Sequence, residues 1–230
     1  MKLFKSTLAL LLMMGVAAAG ALSSPNGDLD AILNNMQRSA KTIKTIHANI
    51  HQERHFGSIG GSEKYDGEIF FRQVGPNADK VRLRYFATGE VSKDLWVNGD
   101  RVVFFQPKIN QAIETSLQRQ AGKKSEFGFI ASPYVSVPQL KAKYNVAYVK
   151  EDAVAGVQAS VLELTPKTAS DVTKIVLWVD RRSWLPVQYQ VTQRNGDVST
   201  YTLTNMEANG KLPNDTFQVS LPRGVTTIKQ

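Results

Sequence analysis

Apolar residues along this chain recur with two different periods. Leu29, Ile32, Leu33, Met36 and Ala40 stand at i, i+3, i+4, i+7 and i+11, one face of a single amphipathic helix. Ser24 or Asn26 can cap it, and Asp28 and Asp30 fall in its first turn, where the helix dipole favours acids. Past Ala40 the period drops to two: Ile46, Ala48 and Ile50 alternate with His47, Asn49 and His51, which predicts a strand. Strand patterns follow over 66–72, 80–87, 94–97 and 101–106, and again over 144–150, 158–165, 173–180, 186–193 and 198–206. Asn-Gly pairs at 98–99, 195–196 and 209–210 punctuate them, and 98–99 reads as a two-residue type I′ turn. Strand after strand with short turns predicts an antiparallel meander rather than a βαβ fold. Between the two groups, 114–143 carries Phe127, Phe129, Ile130, Val135, Val137 and Leu140, with helical stretches broken by Pro133 and Pro138. The expected class is α+β, mainly antiparallel β.

Some strands alternate cleanly, as in Val81, Leu83 and Tyr85 against Arg82 and Arg84, or Val187, Tyr189 and Val191 against Gln188 and Gln190. Others do not. The arms 95–97 and 102–105 and the run 175–179, which includes Leu177, place apolar side chains on both faces. A sheet with one wet face should alternate, so a second cover is required. A strongly curved sheet wrapped around its cover meets that need. The covers in the pattern are the early helix and the 114–143 segment. They are too small to fill the inside of a sheet of about ten strands, so part of that space is expected to be a ligand cavity.

Composition and charge narrow the setting. Lys2 and Lys5, the apolar run 8–16 and the small residues Ala17 to Ala21 read as a secretory signal peptide over 1–22, leaving 23–230 as a single exported, periplasmic domain. The chain has no cysteine, which excludes disulfides, thiol catalysis and thiolate metal sites. The net charge of +8 points to acidic partners such as a protein surface or anionic headgroups, and export argues against nucleic acid. His47, His51 and His55 would share a metal on a helix, but strand spacing separates neighbours by roughly 13 Å, so no metal is expected. The glycine-rich GSIGGSE at 57–63 lacks the ending of a phosphate loop and reads as a hairpin tip. No nucleophile elbow or carboxylate pair stands out, so neither an enzyme nor a cofactor is expected. Arg72, where an apolar strand meets a loop, is a candidate to latch the cover to the sheet.

The runs 67–72 and 80–85, NGDRVVFFQPKINQAI at 98–113 and the ending GDVSTYTLTNMEANGKLPNDTFQVSLPRGV at 196–225 resemble the LolA family of periplasmic lipoprotein carriers, over nearly the whole chain after the leader. That resemblance implies an open half-barrel of about eleven strands with a helical lid over the concave face. It implies a cavity for lipoprotein acyl chains, collected from an inner-membrane ABC-type releasing complex and passed to an outer-membrane receptor by a carrier expected to be a monomer. By position, it implies Val81, Leu83, Tyr85, Leu95, Val102 and Phe104 as cavity lining and Arg72 as the lid latch. Leu177 belongs to the same expected lining, and Ile32, Met36, Phe127, Phe129 and Ile130 are expected to occupy the cavity until cargo displaces them. The chain departs from the family pattern where Gln73-Val74-Gly75 separate Arg72 from Pro76, and where Leu83 holds a commonly aromatic position. A carrier or sensor of another lipid, a non-carrier interaction protein and an exported hydrolase remain alternatives.

Overall fold

The computed structural model describes residues 25–75, 79–117 and 137–230. The expected leader, and Phe127, Phe129 and Ile130, lie outside the described residues. Helix α1 (Pro25–Thr42) leads into β1 (Thr45–His55), β2 (Ser62–Arg72), β3 (Lys80–Ala87), β4 (Glu90–Asn98), β5 (Arg101–Gln106) and β6 (Gln111–Ser116). Helix α2 (Val137–Lys143) is followed by β7 (Tyr144–Val154), β8 (Val157–Pro166), β9 (Val172–Asp180), β10 (Pro186–Gln193), β11 (Val198–Ala208) and β12 (Thr226–Lys229). Pro138 opens α2 rather than breaking it, because a proline in the first turn gives up an N–H that has no helical partner.

The strands form one sheet of twelve in the order β12-β6-β5-β4-β3-β2-β1-β11-β10-β9-β8-β7. It comprises two meanders, β1 to β6 and β7 to β11, joined where β1 pairs antiparallel with β11. Every neighbouring pair is antiparallel except β12, which lies parallel to β6. The sheet does not close, and β12 and β7 are its edges. The antiparallel class is as expected. The residue pattern gives ten of these strands and misses β6 and β12, which carry no alternating burial: β6 buries only Ala112, and β12 is exposed at all four positions.

The β4–β5 turn differs from expectation by one residue. Asn98 pairs with Arg101, so the two-residue loop is Gly99-Asp100, with Gly99 at φ 60 and not Asn98. Glycine at the first central position with φ > 0 fits a type II′ turn. The shift decides which side chains meet: Val97 faces Val102 and Leu95 faces Phe104 on one side, while Trp96 faces Val103 on the other.

Curvature has local causes. Gly67 in β2 sits opposite Tyr85, and a Cβ there would stand 2.0 Å from the Arg84 carbonyl oxygen, so the strands approach as only glycine allows. Register shifts interrupt β3–β4 beyond Tyr85, β7–β8 beyond Tyr148, and β1–β11 beyond His47. In that last ladder Asn205 takes φ 50. Such bulges bend a strand and increase its twist.

Gly67→Ala is expected to destabilise the protein by about 2–3 kcal/mol through overpacking against backbone. Urea denaturation of the two proteins checks this, and an unchanged midpoint would mean that β2 and β3 can part there without loss.

Candidate functional site: the apolar inner face

Strand parity sorts the side chains into two layers. On one face Ile46, Ala48 and Ile50 of β1 continue into Ile69 and Phe71 of β2, Val81 and Leu83 of β3, Leu95 and Val97 of β4, and Val102 of β5. The other meander adds Leu162, Leu164, Ile175, Leu177, Val179 and Leu203, so the layer runs unbroken from β8 to β5. The structure therefore brings Val81, Leu83, Tyr85, Leu95, Val102 and Leu177 into one buried cluster, with Phe104 packed against it half-buried. Ile32 and Met36 join the same cluster from α1, together with Leu33 at 1% exposure. Helix α1 is thus a cover on this face, and α2 adds Val137 and Leu140. Polar ties hold the covers at few points. Lys141 Nζ pairs with Asp30 at 3.0 Å between the two helices, and Ser39 Oγ donates to the Ser183 carbonyl, in the β9–β10 turn, at 2.6 Å.

The opposite, outer face of β4 to β6 has a cover that sequence reasoning missed. Trp96, Val103, Phe105 and Ala112 form a second buried cluster against Val219, Leu221 and Val225. These three belong to the stretch 209–225, which leaves β11 in mid-sheet, crosses the outer face and ends as edge strand β12. Outward side chains bind its backbone carbonyls in chain order. Thr45 Oγ1 donates to Gly210 at 2.7 Å, Arg72 Nη2 to Leu212 at 3.4 Å, and Arg82 Nη1 to Thr216 at 3.1 Å. Asn98 Nδ2 donates to Phe217 at 3.2 Å and Asn110 Nδ2 to Gly224 at 2.8 Å. Asn209, at φ 62, starts this strap by accepting from Lys44 N at 2.7 Å and donating to the Thr42 carbonyl at 3.1 Å. The two-faced arms 95–97 and 102–105 are therefore lined on one side by the core and on the other by the strap. Among the described residues the run 175–179 has no such cover: Val176 and Trp178 stay half-buried on the outside, and the Trp178 indole donates to Asp152 at 3.3 Å.

Arg72 also lands on the outer face. Phe71 points into the core, so its neighbour in an extended strand points away. The described partners of Arg72 are strap groups, the Leu212 carbonyl and the Phe217 ring 5.0 Å from its guanidinium carbon, rather than either helix. A stronger arginine contact lies one strand over. Arg82 grips Asp94 with two bonds, Nε at 3.0 Å and Nη2 at 2.7 Å, while its guanidinium stacks over Trp96. Burial raises the Asp94 carboxyl above its usual range, and Arg82 counters that.

His47, His51 and His55 all project outward from β1 and each faces a different acid: Glu68 at 3.3 Å, Asp66 at 2.7 Å and Glu53 at 3.4 Å. Among the described residues no group of three or more His, Cys, Asp or Glu is placed to hold a metal ion. No described helix is long and apolar enough to cross a membrane.

With this geometry in hand, comparison with known proteins is specific. The family model for the outer membrane lipoprotein carrier protein LolA matches residues 41–220. The chain belongs to the LolA family. A relative from Pectobacterium atrosepticum, described as an outer-membrane lipoprotein carrier protein, is 24% identical over 95% of each chain. Among solved structures, an uncharacterised conserved protein from Thermus thermophilus shares the fold at a TM-score of 0.57 and 10% identity, over 88% of this chain and 99% of that one. MucB of Pseudomonas aeruginosa, in its complex with MucA, aligns at a TM-score of 0.51 and 18% identity over 84% of this chain. This chain spans only 61% of the MucB chain. Matches of this kind establish the LolA fold.

Replacing Arg82 by Met would leave Asp94 buried without its partner and release one strap carbonyl. The expected loss is about 3–5 kcal/mol near neutral pH. Because burial raises the Asp94 pKa, protonation would relieve the unpaired charge. The deficit relative to wild type should shrink as pH falls through that pKa and grow as pH rises above it. Denaturation midpoints of both proteins across the acid range check the sign, and a deficit that is independent of pH would contradict it.

Proposed function

We propose that this chain is a periplasmic carrier that shields lipoprotein acyl chains against the inner face of its sheet and moves them from the inner to the outer membrane. A cleaved leader over 1–22 delivers it there. It takes cargo from an inner-membrane ABC-type releasing complex and hands it to an outer-membrane receptor, as a monomer, with no cofactor and no catalytic step. One observation supports the reading best: an unclosed sheet with a largely apolar inner layer, into which two described helices bury Ile32, Leu33, Met36, Val137 and Leu140. The carrier relative matches over 95% of both chains, whereas MucB is matched over 61% of its length, which favours the carrier over a MucB-like reading.

The energetics set the demand. Each buried CH₂ is worth about 0.8 kcal/mol, so a chain of about 15 carbons resists leaving a bilayer by roughly 12 kcal/mol. A carrier must offset most of that and still let go. An inner face already covered by its own apolar side chains does both. Ile32 and Met36 occupy the place of the cargo in the cluster that holds Val81, Leu83, Tyr85, Leu95, Val102 and Leu177, with Phe104 packed against it. They swing aside on loading and return on delivery.

Photo-crosslinking in cells tests this. A benzophenone amino acid at Phe104, on the inner face, should capture acylated protein. The same probe at Arg101, exposed on the outer face, should not. Equal capture from both positions, or none from Phe104, would end the proposal.

A further inference from the structure

The inner face is not uniform along the strands. Towards the α1–β1 junction it is wholly aliphatic and aromatic: Ile46, Ile69, Phe71, Val81 and Val97. Towards the β1–β2 hairpin a polar row crosses it in register. Tyr189 of β10 pairs with Tyr201 of β11, Tyr201 with Gln52 of β1, and Gln52 with Tyr65 of β2. The row resumes with Tyr85 of β3, which is opposite Lys93 of β4. The members touch. Tyr189 and Tyr201 stack at 4.6 Å, Gln52 Nε2 donates to the Tyr201 hydroxyl at 3.1 Å, and Tyr65 and Tyr85 lie 5.6 Å apart. Lys93 Nζ sits 3.7 Å from the centre of the Tyr65 ring.

Such a row is an amphipathic boundary. Tyrosine and glutamine combine apolar bodies with polar tips, the chemistry favoured where hydrocarbon gives way to polar groups. Lys93 is its charged member. Strand parity sends it inward with Leu95 and Val97, and it is half-buried. Burial holds its ammonium below the usual lysine range; Glu63 opposes that shift and Arg54 adds to it. Glu63 acts on Lys93 from beyond ion-pair distance while it accepts the Tyr65 hydroxyl at 2.8 Å, and Asp197 pairs with Arg54 at 2.8 Å. Among the described residues Lys93 makes a cation–π contact but no ion pair, so a partly desolvated cation lacks an anion at contact distance.

We propose that an acylated ligand lies lengthwise on this face, its hydrocarbon towards the α1–β1 end and its polar head at the tyrosine row, where Lys93 receives an anionic phosphate or carboxylate. This rests on the carrier reading and adds to it an orientation and a head-group charge. A neutral head would leave Lys93 as it is in the empty protein, whereas an anion gains a charge-assisted bond in a partly dry site. The second amide N–H of Gln52, beyond the one given to Tyr201, adds a donor for the ester or amide groups that join head to chain.

Calorimetric titration of the leader-free protein with dodecyl phosphate, dodecanoate and dodecyl maltoside, each below its micelle concentration, tests the proposal. The wild type should prefer one or both anionic amphiphiles to the maltoside by about tenfold. The phosphate and carboxylate arms tell which head the site takes. Lys93→Met should remove that preference while leaving maltoside affinity within about twofold, which also shows that the variant is folded. Lys93→Arg should keep the preference. If the wild type binds all three alike, or Lys93→Met weakens all three alike, Lys93 does not read the head, and the carrier reading stands without this inference. If none of the three binds, both fail.

Discussion

A strand shows alternate side chains to opposite sides of its sheet, and a sheet that does not close has to find a cover for each apolar side from its own chain. Most of this molecule follows from that constraint. In β1, β3 and β10 only the inner side is greasy, and the outer side is finished with polar and stacked groups such as His47 on Phe70, 4.6 Å apart, and Arg84 on Glu68 at 2.9 Å. In β4 and β5 both sides are greasy: the inner one joins the large buried cluster that the two helices also enter, and the strap covers the outer one.

The two covers are held in different ways. The strap is bound through its backbone, with five carbonyls accepting from five side chains of the sheet and its end built into the sheet as β12. Each such bond contributes on the order of 1 kcal/mol net, and the series is cooperative in space because its members stand in strand order. The described helices are held mainly by apolar contact, which is non-directional and can be replaced by any other hydrocarbon. The outer cover is thus fixed by direction and the inner one by contact alone, a difference on which the proposed exchange of lid for cargo rests. The deep Trp96, at 1% exposure, and the gripped Asp94 anchor the outer side.

Much of this could be read in the residues. Apolar runs, alternating in most strands and continuous in 95–97, 102–105 and 175–179, located β1 and nine later strands to within a few residues, and the 3.6-residue period of Leu29, Ile32, Leu33 and Met36 located α1 and its buried side. The conflict at 95–97 and 102–105 was real, but its resolution was not local. Val219, Leu221 and Val225 are too sparse to announce a cover, and their partners lie about a hundred residues earlier in the chain. Arg72 was legible as a tie but not as to which cover it ties, since that depends on the parity set by Phe71. The tyrosine row was hidden for a similar reason. Gln52 looks like an ordinary surface residue until β1 is seen to carry the inward parity of Ile46, Ala48 and Ile50 past it, and Tyr201 reaches it only through a pairing across 149 residues.

The route of the chain has a consequence for how this fold is reached. The first meander gains its outermost strand only from Thr226–Lys229, and its inner edge is completed only when β11 arrives beside β1. One border of that early-made half waits for 198–208 and the other for 226–229. Non-local pairings of this kind delay folding because long loops must close first. Until both segments arrive, the first meander keeps two unpaired strand edges.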